Sequence, residues 1–145
     1  MLSFRSLVAV LVLFPICVLS QDVAQEEGIA GRWKTVDDNT GETRSIIVID
    51  VTDGIATGRI DSLFNPTVPN PVCDKCEGDK EGQPIVGLEI LWGMKAKGDA
   101  WEGGKLLDPE NGKTYRGKIW LEDGTLRVRG YLGIFYRTQT WLPAS

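Results

Sequence analysis

Four turn signals, Asp53-Gly54, Gly98-Asp99, Asn111-Gly112 and Asp123-Gly124, cut this chain into segments of strand length. Such dipeptides accept a positive backbone φ at little cost and so close hairpins. Between them, hydrophobicity repeats every two residues, not every 3.6. Tyr115, Gly117, Ile119 and Leu121 fall on one face, and Arg116, Lys118 and Trp120 on the other. Leu126 and Val128 likewise oppose Arg127 and Arg129. One face packed and one face solvated is the signature of an antiparallel sheet.

Read this way, the chain contains eight strands, at 30–36, 43–51, 55–63, 85–95, 100–107, 113–121, 125–130 and 131–141. A flat sheet of that many consecutive strands leaves two bare edges, and closure removes both. The expected fold is therefore all-β: an eight-stranded antiparallel barrel with short hairpin turns and one long loop at 64–83. That loop holds Pro66, Pro69 and Pro71 and the pair Cys73-Asp74-Lys75-Cys76, a composition that argues against regular structure.

The first residues read as an address. Arg5 precedes an apolar run over 7–14, followed by Pro15 and then Val18-Leu19-Ser20, the plan of a secretory signal peptide. The run is shorter than the roughly 20 residues needed to span a bilayer. The expected organisation is a signal peptide over 1–20, a flexible leader over 21–28 and one domain over 29–145. The protein is then exported, to the periplasm or beyond, with no integral membrane segment after cleavage. Acylation at Cys17 is the alternative, although Ile16 stands where such sites want a small residue. The net charge is −4 before cleavage, and loss of Arg5 makes it more negative. Such a balance gives no electrostatic help toward nucleic acid or anionic lipid. A monomer with no nucleic-acid partner is expected.

The chain has no histidine, which excludes Ser-His-Asp and Cys-His triads and His-ligated zinc. Cys73 and Cys76, the cysteines left after cleavage, are expected to form a disulfide, as an exported chain allows. Redox exchange is the alternative, but Asp74 and Glu77 disfavour a thiolate. Zinc would need two more ligands, and only carboxylates are available. No metal or cofactor is expected. Calcium at Asp37-Asp38-Asn39 or Asp108-Pro109-Glu110-Asn111 competes with a plain turn at each place, and neither has EF-hand spacing.

Five tryptophans, at 33, 92, 101, 120 and 141, are many for this length. They fit core packing, or else a ligand-lined cavity. Glu89 lies among Ile85-Val86-Gly87-Leu88 and Ile90-Leu91. Facing inward, its carboxyl would have a raised pKa or a basic partner; otherwise it points to solvent or pairs with an arginine such as Arg137.

Gly31-Arg32-Trp33 on the first strand and Arg137 on the last resemble the G-x-W and closing-strand Arg of lipocalin-like (calycin-type) barrels. That resemblance implies that Arg137 packs over Trp33 and closes one end, so Gly31, Trp33 and Arg137 would be structural. A longer match runs through Asp38-Asn39-Thr40-Gly41, Asn70-Pro71-Val72-Cys73, Gly87-Leu88-Glu89-Ile90-Leu91 and Trp101-Glu102-Gly103-Gly104. It continues through residues 108–115, Val128-Arg129-Gly130-Tyr131 and Arg137-Thr138-Gln139-Thr140-Trp141. Together these pieces resemble the bacterial "domain of unknown function 2147" family. The resemblance implies a small exported, lipocalin-like barrel and brings no catalytic residues with it.

The first functional expectation is a non-catalytic binding module for a small apolar or amphipathic ligand in the barrel mouth, lined by Trp33, Trp92, Trp101, Tyr115 and Glu89. The second is a structural or interaction protein of the cell envelope that uses the 64–83 loop. The third is an enzyme, either a carboxylate acid/base catalyst or a thiol–disulfide exchanger.

Overall fold

The computed structural model describes residues 28–145; the expected signal peptide over 1–20 and residues 21–27 of the expected leader lie outside them. Eight strands follow in order: β1 Gly31–Val36, β2 Thr43–Thr52, β3 Ile55–Leu63, β4 Glu89–Lys97, β5 Ala100–Asp108, β6 Lys113–Glu122, β7 Thr125–Leu132 and β8 Phe135–Pro143. Each pairs antiparallel with the next, and β8 returns to β1, closing the barrel. The seam is short: only Trp33↔Pro143 and Lys34↔Leu142 are in register, extended by a bond from the Ala144 amide to the Arg32 carbonyl.

Turn chemistry sets the register. Asp53 and Gly54 both have positive φ, 52° and 72°, the requirement of the tight hairpin turn whose twist matches its strands. Gly133, φ 60°, plays the first-position role in the β7–β8 turn. It joins Leu132 directly to Phe135, so Tyr131 and Leu132 end β7 and do not begin β8, as the sequence pattern suggested. The Gly-Ile pair lacks the Asp or Asn that marks the other turns.

The inside is filled. Trp33, Ile47, Ile49, Leu91, Met94, Trp101, Ile119, Leu126 and Trp141 are all buried in one cluster. At Gly117 an added Cβ would overlap the Met94 methyl, so a neighbouring side chain already occupies the space glycine leaves. An eight-stranded barrel is just wide enough to be packed in this way. At one end, the floor, the Trp33 indole donates to the Ile29 carbonyl at 2.9 Å, and Ile29 is itself buried. The mouth is the opposite end, where β1 meets β2, β5 meets β6 and β7 meets β8.

The long connection runs from Phe64 to Leu88 and is ordered. Cys73 and Cys76 form a disulfide with Cα atoms 5.4 Å apart, and both join the core cluster. Leu106 pairs with Leu91 and Tyr115 inside the barrel, so its neighbour Leu107 points outward; Leu107 is nonetheless buried, in the same cluster as the cysteines. The loop thus lies against the outer wall beside the β5–β6 turn, where Lys75 meets Gly112.

Candidate functional site at the barrel mouth

The inward face of β7 and β8 continues past the packed core. Leu126, Val128 and Gly130 pair with Trp141, Gln139 and Arg137, and a Cβ on Gly130 would touch the Tyr115 ring. Alternation then places Leu132 and Phe135 on this same inner face, at the rim. They are 53% and 74% exposed, so the inner wall ends in uncovered apolar side chains. Beneath them sit polar groups. Thr35 and Ser45 share a hydroxyl–hydroxyl bond of 2.6 Å, the Tyr115 hydroxyl accepts from Asn111 at 3.0 Å, and Gln139 accepts from the Trp141 indole at 3.2 Å.

Ion pairs cross the mouth above them. Asp37 opens the β1–β2 turn, its carboxylate accepting the Asn39 and Thr40 amides at 2.8 and 3.0 Å and Arg44 at 2.8 Å. The two amides, then Arg44, hold the Asp37 carboxyl below its ordinary value. Arg44 also pairs with Glu110 of the β5–β6 turn, and the bond to Asp37 holds its guanidinium above the usual range. Arg137 pairs with Asp38, which likewise raises the Arg137 pKa. Asp108 accepts from the Glu110 amide and the Asn111 side chain. Both acidic turns are therefore internally bonded, and among the described residues no cluster of His, Cys, Asp or Glu could hold a metal.

The candidate residues divide. Trp33 and Trp101 are buried in the floor half, and the Trp101 indole N–H has no hydrogen-bond partner. Tyr115 is half-buried under the mouth. Trp92 is not inside: it pairs with Lys105 on the outer wall, with the Lys80 ammonium 4.8 Å from its ring centre. Glu89 is outside too, in register with Arg59 and 3.7 Å from Lys80. The reason is a bulge. The β3–β4 register shifts between Gly58 and Arg59, and one extra residue reverses the face that follows. Arg137 also departs from expectation. It lies six positions from Pro143, Trp33's partner on β8, which is about 20 Å along a strand. It belongs to the mouth and does not cover Trp33.

Leu132, Phe135 and Gln139 are not among the lining residues expected from the sequence. Gly133, set between apolar neighbours, was the available signal for a turn there. The disulfide offers no exchange chemistry as folded, since Cys73 is wholly buried and Cys76 nearly so.

The family model described as "Uncharacterized protein conserved in bacteria (DUF2147)" matches residues 31–142. A solved structure, protein HP1028 from Helicobacter pylori, described as belonging to the lipocalin family, superposes with a TM-score of 0.67. The two are 17% identical, and the match covers 80% of this chain and 82% of that one, a likeness of fold. A comparison with curated proteins finds no match.

Proposed function

We propose, starting from the fact that the chain belongs to the DUF2147 family of uncharacterised bacterial proteins, that it binds a small amphipathic ligand with an anionic head at the barrel mouth. The observation that carries this reading is the inner wall's ending: Leu132 and Phe135 exposed beside Arg137, over half-buried Tyr115 and Gln139. The ligand does not enter the barrel, because tryptophans and aliphatic side chains already fill it. Its chain lies along Leu132 and Phe135, and its head takes the Arg137 guanidinium. Arg137 and Asp38 are 69% and 43% exposed, and ion pairs that open to water contribute only about 0–1 kcal/mol. Exchanging Asp38 for a ligand carboxylate or phosphate therefore costs little. Export to the cell envelope is part of the proposal, supported by the sequence of residues 1–20 and by a disulfide of the kind that persists where conditions are oxidising.

Titration with cis-parinaric acid, a fluorescent fatty acid, tests the site. Saturable binding is expected, weakened roughly tenfold by Arg137→Gln through loss of one charge-assisted bond and also weakened by Phe135→Ser. Absence of saturable binding, or binding indifferent to both variants, would overturn it.

A second reading has its own support. The connection after β3 exposes Phe64, Val68, Val72 and Val86, a suitable face for a protein partner. Cross-linking followed by recovery of a partner, lost when Val68 and Val86 become serine, would favour this reading.

A further inference from the structure

The outer faces of β6, β7 and β8 carry a feature that the mouth does not use. Arg116 lies 5.1 Å from the Tyr131 ring centre, and Arg129 lies 4.3 Å from Tyr136 and 5.0 Å from Trp120. The two tyrosine rings are 5.8 Å apart. Immediately beyond them is the β7–β8 turn, whose Ile134 is 90% exposed. Lys118 is neutralised by Glu102, and Arg127 by Glu122. Among the described residues Arg116 and Arg129 have no carboxylate partner; Arg129 donates only to the Thr138 hydroxyl.

We infer that this hairpin tip docks the protein on an anionic lipid bilayer, with Ile134 entering the acyl boundary and Arg116 and Arg129 meeting lipid phosphates. Three observations fit this occupant. The apolar tip residue Ile134 is sharply exposed. The tyrosines follow at headgroup depth, where amphipathic rings concentrate. The cations lie level with the tyrosines or just beyond: Arg116 and Tyr131 are in register, about 10 Å along the strand from Ile134, within the depth to which interfacial elements sink. The overall negative charge does not oppose this, because charges further apart than about 8–10 Å are screened from one another at physiological salt. Locally the outward faces of β6–β8 hold Arg116, Lys118, Arg127 and Arg129 against Glu122 alone. The proposed contact is one of resting on the surface, at the tip of a single hairpin.

Co-sedimentation with vesicles tests it. Wild-type protein is expected to bind mixed phosphatidylglycerol–phosphatidylcholine vesicles and to bind phosphatidylcholine alone weakly. Ile134→Asp should lower partitioning roughly tenfold or more, the loss of one buried aliphatic side chain, and Arg116→Glu roughly fivefold or more. Both positions are exposed, so circular dichroism should be unchanged. Failure to bind the mixed vesicles, or unaltered binding by both variants, would overturn the inference. So would Ile134-dependent self-association without vesicle binding, which would give the tip to a second copy of the chain. Neither Ile134 nor Arg116 belongs to the proposed ligand site, so failure here and failure of the parinaric-acid titration are separate results.

Discussion

Glycines on this barrel differ in what stands opposite them, and the difference predicts their tolerance. A Cβ on Gly104 would overlap the Trp92 carbonyl and the Met94 amide, both backbone. A Cβ on Gly117 would overlap mainly the end of the Met94 side chain, which can swing aside. Gly104→Ala should therefore cost about 3 kcal/mol and Gly117→Ala about 1 kcal/mol, a ranking that urea denaturation measures. At the mouth, Asp37 makes an acid-side prediction. Its folded pKa lies below the unfolded one because two amides and Arg44 favour the anion. Its contribution is therefore present above the ordinary carboxylate value, about 3.9, and is lost as pH falls through the lower folded value. The β1–β2 turn should loosen below about pH 4, and Asp37→Asn should flatten that part of the stability–pH curve.

At the scale of elements, the disulfide clips a connection that is bonded both to itself and to the barrel. The Val72↔Pro84 bridge, the Cys73 amide to the Gln83 carbonyl, and the Ile85 amide to the Pro71 carbonyl hold it to itself. Its seat on the barrel includes the buried cysteines beside Leu107, the Lys75–Gly112 approach, and Lys80 over Trp92. Replacing both cysteines with alanine should lower stability by about 2 kcal/mol, the loop-entropy value for so small a ring, read from urea midpoints with and without reductant. The strands themselves were legible, because period-two patterns and Asp-Gly turns are local signals. The β3–β4 bulge was not. Bulges arise from pairing between strands, and nothing local in Ile90-Leu91-Trp92 shows which of three apolar residues will face out. The misplacement of Glu89 follows from that; Trp92 faces out by simple alternation with inward Leu91. Arg137 was misassigned for a related reason: its partner Asp38 is 99 residues away, and only barrel closure brings them together.

For the whole molecule, the inward face of every strand contributes to a single cluster, so unfolding should be one cooperative transition, with far-UV and tryptophan signals coinciding. The β1–β8 seam governs that cooperativity. Removing residues 141–145 deletes buried Trp141 and both registered seam positions; the truncated chain is expected to lose its sharp transition, as calorimetry would show. There is a kinetic corollary. Pairing Trp33 with Pro143 joins residues more than a hundred positions apart, and such distant contacts form late and slowly. A ribosome still holding β8 therefore holds an unfinished cylinder, so the polypeptide stays threadable until that strand emerges.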